Sequence, residues 1–100
     1  MFGLVPQDIE LIVAVLKRYP DVDEALIFGS RAMGNYKPGS DIDIALKGSL
    51  LSETAIDIAV ELNERIPLPY KFDVLDYSTI SHAPLAQHID QQGKVFYKKK

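Results

Sequence analysis

The chain has no cysteine, which excludes disulfides, thiolate metal sites and a cysteine nucleophile. No apolar run approaches the length needed to span a bilayer, so no membrane segment is expected. Met1 to Val5 is apolar but lacks a basic start, and the acidic Asp8 and Glu10 break the stretch, so no signal peptide is expected. An excess of positive charge is missing too. Eleven Lys and Arg stand against 14 Asp and Glu, a net charge of −3, and direct nucleic-acid binding is not expected of such a chain. The Lys98-Lys99-Lys100 tail reads as a solvated end. Repeats and low-complexity tracts are absent. With 47% hydrophobic and 25% charged residues among 100, the expectation is a single domain over residues 1–100 with one modest core, and a cytoplasmic location by default.

The stretch from Gly29 to Leu46 organises the rest. An apolar run, Ala25-Leu26-Ile27-Phe28, ends in Gly29-Ser30, and a second apolar run is headed by Asp41 and Asp43. A strand turns alternate side chains to one face, so these two carboxylates share a face about 7 Å apart along the backbone. Ile42, Ile44 and Leu46 then line the other face. Two carboxylates side by side above a dry layer repel each other, which a divalent cation would relieve. Ser30 sits where a strand ends and a helical turn can begin, a place suited to an anion.

Around this stretch the pattern predicts a helix over Pro6–Arg18, with Ile9, Ile12, Val13 and Leu16 on one stripe. It predicts a central strand over Glu24–Phe28. Ser30 is expected to cap a one-turn helix, Arg31–Met33, that Gly34 ends. The second strand is Asp41–Leu46. Ser52 is expected to cap a helix over Glu53–Arg65, terminated by Pro67 and Pro69. A third strand, Tyr70–Leu75, places Asp73 on the face opposite Phe72 and Val74. A last helix from Pro84 to Gly93 precedes an edge strand at Lys94–Tyr97. The fold class is therefore α+β: a small mixed sheet with helices packed on one face, and an open cleft on the other carrying Asp41, Asp43 and Asp73.

Taken singly, Asp-x-Asp and Gly-Ser are weak signals, since acidic residues beside a turn and serine caps are common in domains that bind nothing. An EF-hand is excluded, because strand residues stand where its glycine and further ligands belong. In combination the spacing Gly-Ser-x(10)-Asp-x-Asp resembles the signature of the DNA polymerase β-type nucleotidyltransferases. Within that superfamily the chain resembles the minimal nucleotidyltransferases, short antitoxin-type proteins paired with a helical HEPN-domain toxin. The likeness continues through Lys71-Phe72-Asp73-Val74-Leu75-Asp76 to Gly93-Lys94-Val95-Phe96-Tyr97.

The resemblance implies a polymerase β-type fold and two Mg²⁺ ions held by Asp41, Asp43 and Asp73, the last helping to deprotonate an acceptor hydroxyl. It implies that Gly29 and Ser30 cradle the phosphates of ATP, with Arg31 as a triphosphate contact and Ser40 positioning the second strand. The implied activity is transfer of AMP from ATP to a protein hydroxyl, a tyrosine of the HEPN toxin, silencing it as in a type VII-like toxin–antitoxin pair. Met33 departs from the basic residue of many relatives, a contact for which Lys37 could substitute. Two alternatives stay open: a non-catalytic binding module that masks its partner, and a small-molecule nucleotidyltransferase. Arg31 reads equally well as a solvated charge. His82 and His88 lack partners at metal-ligand spacing and read as surface residues, and Asp76 falls on the face opposite Asp73.

Overall fold

A computed structural model describes residues 3–34, 36–37 and 41–99. Among them the chain forms helix α1 (Pro6–Lys17), strand β1 (Val22–Phe28), a single helical turn α2 (Ser30–Met33), strand β2 (Ile42–Gly48), helix α3 (Thr54–Val60), strand β3 (Phe72–Asp76), helix α4 (Ala83–Gln92) and strand β4 (Lys94–Lys98). A π-helical turn, Glu61–Arg65, prolongs α3, and a 3₁₀ turn, Tyr77–Thr79, comes after β3.

The sheet order is β3-β2-β1-β4. β1 is antiparallel to β2 and β4, while β2 and β3 are parallel. This is the small mixed sheet the sequence predicts. Parallel neighbours need a crossover, which α3 supplies between β2 and β3. The directions bring the C-terminal end of β1 and the N-terminal ends of β2 and β3 to one border of the sheet. Phe28 pairs with Asp43, and Asp43 with Asp73.

The main core lies on one face, where Ile12 and Leu16 of α1 and Ile58 and Leu62 of the α3 segment meet Ile27, Ile42, Ile44, Leu46 and Phe72. Alternation along the strands explains why the aspartates are not among them. The other face is not left wholly open. Ile89 of α4 packs there with Leu26, Phe28 and Ala45 in a smaller cluster joined by Leu75 and Leu85. The carboxylates therefore stand at one border of a partly covered face, beside α4, and not in a face left open as expected.

Two expected caps are replaced. Ser30 is the first residue of α2 rather than its cap; Gly29 takes that place, and no side chain caps the turn. Ser52 does not cap α3 either, because Asp21 reaches across from the turn before β1. Its Oδ2 accepts from the Leu51 N–H at 3.1 Å and the buried Thr54 hydroxyl at 2.6 Å. These bonds, led by that from Thr54, hold the Asp21 carboxyl below the usual range. Glu53 stands at the cap position, and the Ser52 hydroxyl donates to the Glu53 carboxylate at 3.2 Å instead.

The π-helical turn coincides with a second long-range contact. Asn63 donates its side-chain amide to the Phe72 carbonyl at 3.0 Å and accepts the Phe72 N–H at 2.8 Å. The same amide donates to the Ala59 carbonyl at 2.9 Å. As β3 is an outer strand, Phe72 has no strand neighbour on that side, and the asparagine side chain serves as one.

Candidate active site

Three chain segments build the site. The parallel register sets Asp43 directly beside Asp73, one residue into each strand, so both rise from the face opposite Phe72 and Ile42. Asp41 precedes β2 and is exposed. The carboxyl of Asp43 is held above its usual pKa, first by burial, then by the negative charges of Asp73 and Asp41 and a hydrogen bond with Asp73. Asp43 therefore feels the charges of both other acidic side chains singled out in the sequence. Among the described residues, no group of three His, Asp or Glu side chains is closed around one point as a finished metal cage.

The donor set nevertheless fits a hard divalent cation. Carboxylate oxygens are the ligands Mg²⁺ takes, and Mg²⁺ keeps several waters or substrate oxygens instead of a full protein cage. The crowding that pushes the Asp43 pKa upward is the repulsion such an ion would cancel.

Gly29 lies against this cluster. Its φ of 73° and ψ of −153° belong to a region open almost only to glycine. A Cβ added there would collide with Oδ2 of Asp43. Both the backbone conformation and the packing of the carboxylate thus demand a residue without a side chain. The Gly29 N–H, expected to face phosphate, instead donates to Nε2 of His88 at 3.0 Å. Ser30 comes next, half-buried, at the start of α2, and Gly34 ends the turn in the left-handed conformation with φ 82° as expected.

Arg31 is not a solvated charge. It is 4% exposed, and its guanidinium lies 5.1 Å from the ring centres of both Tyr36 and Tyr70, an arrangement in which a cation is held by two aromatic faces. Met33, by contrast, is 52% exposed. Asp76 turns away from the carboxylates and caps the 3₁₀ turn, accepting from the Ser78 N–H at 2.9 Å. Ser40 lies outside the described residues.

His88 was not legible as a site residue. Its ring meets Phe28 edge-on at 6.1 Å and 73°, and its Nε2 takes the Gly29 amide across a separation of 59 residues. No local motif marks it. The only trace is its place on α4 one turn after Leu85 and beside Ile89, both of which face the sheet.

The family model for polymerase β nucleotidyltransferases matches residues 10–100. No curated protein matches the sequence. Among solved structures, the chain is similar to one of a toxin–antitoxin complex with AMP-PNP, with TM-score 0.73 and 25% identity over 97% of this chain and 76% of the other. It is similar in fold to a chain of the MntA–HepT toxin–antitoxin complex, with TM-score 0.71 and 23% identity over 95% and 74%. A third is from the complex of a tri-AMPylated HEPN toxin with its MNT antitoxin from Shewanella oneidensis, with TM-score 0.70 and 24% identity over 93% and 71%.

Proposed function

The chain belongs to the polymerase β nucleotidyltransferase family, and on that premise we propose that it transfers AMP from ATP to a hydroxyl of a HEPN-type toxin, a tyrosine, and so silences it as an antitoxin in the cytoplasm. The observation that carries this reading is the pairing of Asp43 with Asp73 against a turn whose backbone conformation and close approach favour glycine. The partner class rests on the toxin–antitoxin complexes among the similar structures.

In this reading Asp41, Asp43 and Asp73 hold Mg²⁺, which when bound neutralises charge on the carboxylates and the triphosphate and stabilises an in-line displacement at the α-phosphorus. The chain's own residues do the rest. Asp73, the most outward of the strand-borne pair, takes the proton of the acceptor hydroxyl. Gly29 lets the turn lie against Asp43, and Ser30 offers its hydroxyl to the triphosphate. Ser40 would position the strand that carries the aspartates, and Arg31, buried between its two tyrosine rings, would lend its positive charge to the triphosphate subsite. The acceptor oxygen then bonds to the α-phosphorus as the bond to pyrophosphate breaks. Asp41 and Asp73 are exposed, as attack by a hydroxyl borne on another protein requires.

Incubating the chain with its HEPN partner, Mg²⁺ and labelled ATP should label the partner, and Asp41→Asn with Asp43→Asn should abolish the label. An unlabelled partner in the presence of intact protein would refute the transfer. A second reading, neutralisation by masking alone, has in its favour the exposed Met33 where a basic residue would grip phosphate. Full neutralisation by the aspartate double variant would decide for it.

A further inference from the structure

We propose that His88 is a positioning residue for the Gly29–Ser30 turn, holding it in the shape that receives the triphosphate by accepting the Gly29 N–H on Nε2. This role rests on the reading of that turn as the triphosphate seat.

Three observations converge on it. The hydrogen bond is 3.0 Å long and joins two segments otherwise distant in sequence. The same ring is braced edge-on against Phe28, the residue that precedes the turn and pairs with Asp43 across the sheet. Ile89, the next residue on α4, is fully buried against the sheet, so the helix has little freedom to carry His88 away. The Gly29 conformation is one that an unanchored chain would leave readily, because glycine has many alternatives. An acceptor on a helix anchored through the buried Ile89 restricts those alternatives. The bond also assigns the ring's state: an accepting Nε2 requires neutral imidazole with its proton on Nδ1. It further allots the donors of the turn. The Gly29 amide is spent on the protein and is not available to a ligand.

The two variants His88→Phe and His88→Gln separate this role from plain packing. Phenylalanine keeps the ring against Phe28 but cannot accept a hydrogen bond. Glutamine carries an amide oxygen close to where Nε2 stands. On the chain without nucleotide, ¹⁵N NMR should show the Nδ1–H tautomer of His88 and a protected Gly29 amide. In H88F that amide should exchange about tenfold faster. Mg·ATP, titrated by calorimetry, should bind H88F about tenfold more weakly and H88Q within about twofold of the parent. Equal Mg·ATP affinity in H88F, or affinity in a fully folded H88Q as low as in H88F, overturns the positioning role. If the parent chain itself binds no Mg·ATP while the Gly29 amide stays protected, the triphosphate reading falls and this role with it, and the intact hydrogen bond identifies that outcome.

Discussion

Asp43 and Asp73 stand side by side on neighbouring parallel strands, near enough for their carboxyls to share a hydrogen bond. Neither strand alone has any reason to carry an acid there. The pairing makes the fold sensitive to pH at one point. With its pKa raised in the folded state, Asp43 favours folding while protonated. That contribution is complete below the unfolded value of about 3.9 and disappears as pH rises through the raised one. Asp43→Asn should therefore melt with the parent near pH 3.5 and above it at pH 7, by about 2–4 °C given the partial exposure of the group. Thermal melts across pH 3–8 test this. The same variant should lose about a thousandfold in transfer rate.

Metal and nucleotide together should reverse the repulsion. With Mg·ATP about a hundredfold above its dissociation constant, the parent should gain about 2.7 kcal/mol by mass action, seen as a rise of about 10–20 °C in melting temperature. Asp41→Asn combined with Asp43→Asn should show no rise. A parent chain whose melting curve ignores Mg·ATP would count against the site.

Gly29→Ala should cost about 2–3 kcal/mol, through a φ that alanine avoids and a collision with Asp43 Oδ2. The two causes can be separated. In the Asp43→Ala background the collision is gone and only the backbone penalty remains, so the cost of Gly29→Ala should fall to about 1–2 kcal/mol. Chemical denaturation of the four proteins in this double-mutant cycle measures the difference.

Asn63→Ala should free the Phe72 N–H and C=O, lowering stability by about 1–3 kcal/mol. The effect should be local as well as global. Amide exchange at Phe72 should accelerate more than at Ile44 in the interior of the sheet. Equal acceleration at both would mean that the asparagine does nothing particular for β3.

Much of this arrangement was legible in the chain. Four consecutive apolar residues before Gly29 marked a central strand, and alternation from Asp41 to Leu46 put the acids and the isoleucines on opposite faces, as the structure has them. Alternation also set Asp73 apart from Phe72 and Val74. What periodicity could not supply is which layer an apolar stripe meets. The last helix was legible, yet nothing local says that Leu85 and Ile89 in it cover the sheet on the carboxylate side. The same limit hid His88 beside Gly29, Asp21 at the start of α3 and Arg31 between Tyr36 and Tyr70. Each of these is a contact that register and layer order bring about, not spacing along the chain.

The asparagine clasp on Phe72 also bears on how this small protein keeps to itself. A strand rim with free amides invites another copy to zip onto it, and a four-stranded sheet has two such rims. One is stoppered at Phe72 by the side chain of Asn63. The other, β4, carries Lys94 and Lys98 at its two ends, so an approaching duplicate would meet its own lysines. Strand addition by a further copy is thereby hindered at Phe72 on one flank and at the two ends of β4 on the other.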